Sequence, residues 1–123
     1  MSGPDFQKLD LIPVIAQDAE TRDVLMLAYM NAEAYQETLA TGRVCYYSRN
    51  RQKLWRKGES SGQQQLLISA AFDCDGDTLL LQVNQTGPAC HTGRRNCFFR
   101  AVRGGKLVTI AEVEIDPKEL YGE

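Results

Sequence analysis

Between Asp73 and Cys97 the chain reads DCDGDTLLLQVNQTGPACHTGRRNC, and this stretch holds three of the four cysteines, the only histidine and three aspartates at alternate positions. No other part of the sequence limits the fold so strongly. Thiols, an imidazole and carboxylates at this density are costly to bury without partners, so the fold must either leave them in water or gather them around cations. Cys74, Cys90 and Cys97 are separated by 16 and 7 residues and form no CxxC knuckle. A zinc ribbon or finger, held by paired knuckles, is therefore disfavoured. A single histidine cannot furnish a His-rich centre from one subunit. Thiolates must supply most ligands, and Cys74, Cys90 and Cys97 make three, leaving a fourth position for water as in catalytic zinc sites. If the segment is extended, Asp73, Asp75 and Asp77 share one face and Cys74 takes the other. That separates hard oxygen donors, which suit Mg²⁺, from soft sulfur. An EF-hand is excluded, because the glycine comes fourth instead of sixth and Asn84 stands at the twelfth position. A nucleobase-deaminase signature is absent too: there is no HxE, and the cysteine after Cys90 is too distant. A solvated acidic turn is the plain alternative for DCDGD. His91 is open to three readings: ligand, general base with a reference pKa near ~6.5, or loop residue.

The rest of the chain sets the frame. A length of 123 residues favours one domain, able to bury a core without staples. A net charge of −2 argues against a nucleic-acid glove. Charge is uneven, however. Arg49, Arg51, Lys53, Arg56 and Lys57 form one basic group, and Arg94, Arg95, Arg100 and Arg103 a second. Beside a metal centre, such groups point to an anionic, phosphate-bearing ligand. The polar start MSGPDFQKLD has no apolar signal core, and no run is long enough to span a bilayer. A cytoplasmic, reducing setting follows as the expectation, with cysteines as ligands or catalysts in place of disulfides.

Taken in order, Leu11–Ala16 and Val24–Met30 read as a β-hairpin around a polar turn. Asn31 caps a helix over Ala32–Ala40, with Ala34, Tyr35, Thr38 and Leu39 facing inward and Gly42 as its left-handed terminator. Arg43–Ser48 is β-branched and aromatic, hence a strand, with Cys45 a small buried apolar residue inside it. Trp55 reads as core or interface. Leu66–Phe72 and Leu79–Val83 are strands joined by the acidic turn, Asn84–Gly93 is a loop, and Cys97–Val102 pairs with Leu107–Val113 across the Gly104-Gly105 turn. Residues 114–123 are a short helix or tail. The picture is an α+β, mostly β chain: a largely antiparallel sheet or partial barrel with one good helix.

At this point the motifs YYSRNRQKLWRKGESSG (46–62), DCDGD (73–77) and GPACHTGRRNCFFR (87–100) resemble those of the phosphoribosyl-AMP cyclohydrolase family of histidine biosynthesis. LIPVIAQD and VLMLAYMN are similar to its N-terminal motifs. Departures are mild: Asn50 and Asn96 stand where serine is expected, and Phe99 where tyrosine is common. The resemblance implies a β-rich antiparallel pseudobarrel capped by a helix, in an intertwined homodimer. It implies a hydrolytic opening of the substrate's adenine ring at the N1–C6 bond, with His91 moving protons. It implies zinc shared across the dimer, by Cys74 of one subunit and Cys90 and Cys97 of the other, and Mg²⁺ on Asp73, Asp75 and Asp77. The substrate's two phosphates call for basic residues, with Arg49, Arg51, Lys57 and Arg95 as candidates. The pyrophosphohydrolase activity fused to some relatives is expected to be absent, since the chain ends before such a domain. The competing expectation is a non-catalytic zinc-binding interaction module whose basic segments hold RNA.

Overall fold

The computed structural model describes residues 3–121. Eight strands and two helices follow one another: β1 (Ile12–Asp18), β2 (Val24–Met30), α1 (Ala32–Thr41), β3 (Cys45–Ser48), β4 (Lys53–Arg56), β5 (Gln65–Phe72), β6 (Leu79–Gln85), β7 (Arg100–Arg103), β8 (Lys106–Thr109) and α2 (Pro117–Tyr121). Period-two burial builds the central sheet. Ile12, Val14 and Ala16 of β1 and Leu79, Leu81 and Val83 of β6 are buried, and the residues between them turn outward. The sheet order is β2-β1-β6-β5. β2 pairs with β1 and β5 with β6 as antiparallel hairpins, but β1 and β6 run parallel, Val14 opposite Leu79 through Asp18 opposite Val83. The antiparallel expectation is corrected at this seam. Strand pattern dictates which face is buried and says nothing about which distant strand lies alongside.

The helix follows its local signals. The Asn31 side chain accepts from the Ala34 N–H at 2.8 Å, and Gly42 closes the last turn with φ +76°. Ala34 and Thr38 are buried, Thr38 hydrogen-bonding Cys45 of β3, and Tyr35 packs on the core beside them, whereas Leu39 faces outward at 51% exposure, so its inward assignment is corrected. β3 pairs with β4, a strand the sequence reading left unassigned around Leu54 and Trp55. This hairpin is stitched to β5 through Val44 N–H to the Gln65 carbonyl and Leu67 N–H to the Gly42 carbonyl. On the opposite edge, Cys97 N–H donates to the Leu25 carbonyl of β2. These stitches curl the assembly, yet it stays one open four-stranded sheet with two hairpins, and the closed pseudobarrel is not formed within the described residues. Cys97–Phe99 lie ahead of β7 instead of inside it: Cys97 makes this edge contact, and the Phe99 carbonyl accepts from the Ile110 N–H.

Candidate functional site

The β5–β6 connection is an acidic turn. Asp73 N–H donates to the Thr78 carbonyl, and Gly76, with φ +75°, lets the chain reverse. The Asp73 carboxylate accepts from Asp77 N–H at 3.0 Å and Thr78 N–H at 3.3 Å. The turn, and not an extended strand, thus brings the three carboxylates together. Among the described residues, Asp73, Asp75 and Asp77 are the one trio of His, Cys, Asp or Glu whose ligand atoms all lie within 4.8 Å of one another. Crowding splits their proton affinities. Desolvation opposes ionisation of Asp73, but the hydrogen bonds it accepts outweigh this and hold it below the ordinary carboxylate value. Asp77 is raised, first by the Asp75 carboxyl and also by desolvation and Asp73. Lys8 reaches across to Asp75 and Asp77 at 3.9 and 3.8 Å, an exposed cation already drawn to the cluster.

The cysteine loop is a separate construction. Ala89 N–H donates to the Arg95 carbonyl, Cys90 N–H to the Arg94 carbonyl and Gly93 N–H to the Cys90 carbonyl. Glu114 and Ile115 N–H groups both converge on the Gly93 carbonyl. Gly93 has φ +83°, and a Cβ there would sit 1.8 Å from the Ile115 carbonyl oxygen, so only glycine permits this approach. Within the loop Cys90 is buried and its Sγ accepts from the Thr92 hydroxyl at 3.1 Å. Cys97 is exposed as a residue, yet its thiol lies near enough to Cys90 for the two to influence each other's ionisation. Desolvation around the sulfur and the neighbouring Cys90 push the Cys97 thiol up to about 12. Two neighbouring thiols resist double ionisation, and a dication is the group that relieves such a pair. All four cysteines are free, and Cys74 stands exposed in the acidic turn, outside any such trio with Cys90 and Cys97 of its own chain.

Next to Cys90, His91 borders a cleft of about 270 Å³ whose walls include Arg51, Trp55, Lys57, Glu59 and Ser60. The four proposed phosphate contacts therefore do not converge. Arg51 and Lys57 share the His91 cleft. Arg49 lies 4.0 Å above the Tyr29 ring and borders a separate hollow of about 230 Å³, on the far side of Trp55. Arg95 is spent on Asp18 at 3.2 Å, Asp23 at 3.0 Å and the Thr21 hydroxyl at 3.1 Å, tying the cysteine loop to the β1–β2 turn. Lys57 is 8% exposed, and its Nζ donates to the Ala89 carbonyl at 2.7 Å. A larger cleft of about 480 Å³ lies beyond Lys57 and Gly58, where Arg56 is engaged by Glu37 through two hydrogen bonds of 2.9 and 2.8 Å.

Gly58–Gly62 closes the 46–62 motif, and none of its residues is among the candidate site residues read from the sequence. Its Glu59, Ser60 and Ser61 line the His91 cleft, and the signal for this was their place directly after the first basic group. A second omission is the buried chain in which the Tyr46 hydroxyl donates to Gln65 Oε1 at 2.6 Å and Gln65 Nε2 donates to Gln85 Oε1 at 2.8 Å. Full burial and the nearby Cys97 charge raise the Tyr46 hydroxyl far above the ordinary phenol value.

Comparison with known proteins places this geometry. Residues 26–99 match the family model described as phosphoribosyl-AMP cyclohydrolase. A protein of that name from Alkalilimnicola ehrlichii is 64% identical over 111 residues, covering 90% of this chain and 78% of the relative. Namesakes from Halorhodospira halophila and Rhodospirillum centenum are 58% and 62% identical, covering 95% and 96% of this chain and 82% and 89% of their own lengths. The matched span takes in the acidic turn, the cysteine loop and the His91 cleft, and on this ground the chain belongs to the phosphoribosyl-AMP cyclohydrolase family.

Proposed function

We propose that this chain hydrolyses phosphoribosyl-AMP at its adenine ring, in histidine biosynthesis, as a cytoplasmic homodimer dependent on Zn²⁺ and Mg²⁺. The carrying observation is the division of the thiols: Cys90, next in the chain to the cleft residue His91, neighbours Cys97, while Cys74 stands apart in the acidic turn. A thiol pair lacking its third sulfur within the chain favours a site completed by Cys74 of a second copy. Exposed apolar side chains support the same reading. Leu66, Ile68 and Phe72 on β5 and Val102 and Leu107 on the β7–β8 hairpin are all at least 40% exposed, a surface a second copy can cover. The sulfur donors fit zinc and the three carboxylates fit Mg²⁺. Among the described residues no helix is long and apolar enough to cross a membrane.

In the substrate, N1 carries a ribosyl phosphate, so the purine ring is cationic and C6 is electrophilic. Cys90 and Cys97, with Cys74 of a second copy, would hold a zinc ion, and bound there it would lower the pKa of water to about 7. The water oxygen bonds to C6, and His91, at the cleft rim, takes the proton it sheds. The C6 hydroxyl then gives up its proton and becomes a carbonyl as the N1–C6 bond breaks; the bond's electron pair stays on N1, which takes up a proton in exchange. C6 keeps its amine and becomes a carboxamide, which gives the formimino aminoimidazole carboxamide ribonucleotide. Arg51, in the same cleft, is the basic residue best placed for a phosphate. The RNA-binding alternative loses ground because Arg56, Lys57, Arg94 and Arg95 are all held in internal contacts.

The assay is the absorbance change when purified protein meets phosphoribosyl-AMP with Zn²⁺ and Mg²⁺. Folded, metal-loaded protein that forms no product sinks the enzyme reading. Mixing inactive Cys74→Ala chains with inactive Cys90→Ala chains under exchange conditions should restore activity, because one of the two sites in the heterodimer is intact. No restoration at all refutes the shared site.

A further inference from the structure

We propose that Lys57 is a positioning residue for the cysteine centre, holding the Ala89–Cys90 backbone and setting a fixed positive charge beside the Cys90–Cys97 pair, and that it does not contact a substrate phosphate. The local structure drives the side chain inward. Lys57 follows the last residue of β4, and its N–H donates to the Val44 carbonyl at 3.1 Å. Gly58 then turns the chain with φ +85°, packed so closely that a Cβ would lie 2.6 Å from Gln63 and Gln64 backbone atoms. With its backbone anchored on both sides, the Lys57 stem passes Trp55, whose ring centroid is 5.6 Å from Nζ, and ends on the Ala89 carbonyl.

A buried ammonium is costly unless compensated, and it carries three donors. Among the described residues Lys57 forms no ion pair with a carboxylate. Its surroundings offer one carbonyl and one aromatic face; burial pulls its pKa below the ordinary lysine value, and the nearby Cys97 and Cys90 oppose that. The Ala89 carbonyl is the acceptor that this ammonium holds among the described residues. The carbonyl it grips belongs to the residue immediately before Cys90, so the same contact fixes where the Cys90 sulfur stands. A phosphate reader has the opposite geometry: donors turned outward, as in the exposed Arg51 of the same cleft.

The inference rests on the cyclohydrolase reading for its reaction, and its deciding readout, zinc retention, needs no turnover. Lys57→Met keeps the stem length and removes charge and donor. In the full-length, zinc-loaded protein this variant should lose zinc to a competing chelator about tenfold more readily, the scale seen when a group supporting metal ligands is lost. Its kcat should fall while KM for phosphoribosyl-AMP stays within about twofold. Arg51→Gln should do the reverse, raising KM with zinc retention unchanged. Zinc retention in Lys57→Met equal to that of the original chain overturns the proposal. Where the variant fails to fold, amine acylation of the zinc-loaded original chain decides. Lys57 should stay unmodified while exposed Lys53 and Lys106 react, whether or not substrate is present. Modification of Lys57 at the Lys53 rate, with protection by substrate, refutes the positioning role.

Discussion

Replacing Arg95 by Gln separates a structural clamp from a phosphate contact. Arg95 makes two ion pairs, with Asp18 at 3.2 Å and Asp23 at 3.0 Å, and one hydrogen bond to the Thr21 hydroxyl at 3.1 Å. The arginine is about one-third exposed and Asp23 about half, so each pair is worth roughly 0.5 kcal/mol. The Thr21 bond adds about 0.5–1 kcal/mol. Arg95→Gln should therefore cost about 1.5–2 kcal/mol at neutral pH, or roughly 5–8 °C in Tm for a chain of this size. Asp18 supplies a pH signature. Hydrogen bonds from the Thr21 and Glu20 N–H groups, with Arg95 beside them, outweigh desolvation and hold its carboxyl below the ordinary carboxylate value. A depressed carboxylate contributes stability above its unfolded pKa and loses it as pH falls through the folded one. The gap between the two proteins should be full near pH 7 and should close on acidification below about pH 4. Urea unfolding at fixed protein concentration across this range measures it, with Asp18→Asn completing a double-mutant cycle, since asparagine keeps an acceptor for the turn N–H groups. An Arg95→Gln protein of unchanged stability whose KM for phosphoribosyl-AMP rises about tenfold refutes the clamp and restores Arg95 to the phosphate.

Gly58→Ala should destabilise by more than about 1 kcal/mol, because a left-handed φ and backbone atoms at 2.6 Å leave a Cβ no room; urea unfolding within 0.5 kcal/mol of the unaltered protein would contradict the packing. Tyr46→Phe strands the buried Gln65 oxygen and should cost about 1–3 kcal/mol, read by the same unfolding experiment. Zinc uptake by metal-free protein should release protons at pH 7, since the Cys97 thiol is pushed up to about 12 and a ligand sulfur must be deprotonated. A pH indicator in weak buffer measures the release, and zinc affinity should fall as pH is lowered.

Local features of the fold were legible because they depend on neighbours in the chain. The Asn31 cap, the Gly42 terminator and the Gly104-Gly105 turn each rest on the conformational preference of one or two residues, and each stands where the sequence puts it. The inward alternation of β1 and β6 is equally local. What stayed hidden depends on residues far apart. The parallel β1–β6 seam joins Val14 to Leu79, and no periodicity encodes that choice. The Lys57–Ala89 bond spans 32 residues and the Arg95–Asp18 pair 77. Leu39 was assigned inward by helical spacing, yet only the Ala34–Thr38 side of α1 is buried.

The candidate site divides along the same line. Aspartates at alternate positions and cysteines beside a lone histidine are residue types suited to cations, and the acidic turn gathers its carboxylates by contacts that span at most five residues. The basic groups announce only charge, which a fold can spend in different ways. Here Arg56 and Arg95 are spent on carboxylates, Arg49 on an aromatic face and Lys57 on a carbonyl beside two sulfurs. Arg51 alone among the four phosphate candidates keeps an exposed guanidinium in the His91 cleft with no ion pair among the described residues. A basic run therefore tells how much positive charge the chain brings to a region. Which members reach a ligand is decided by where the backbone directs each side chain and by which buried acceptors claim it first.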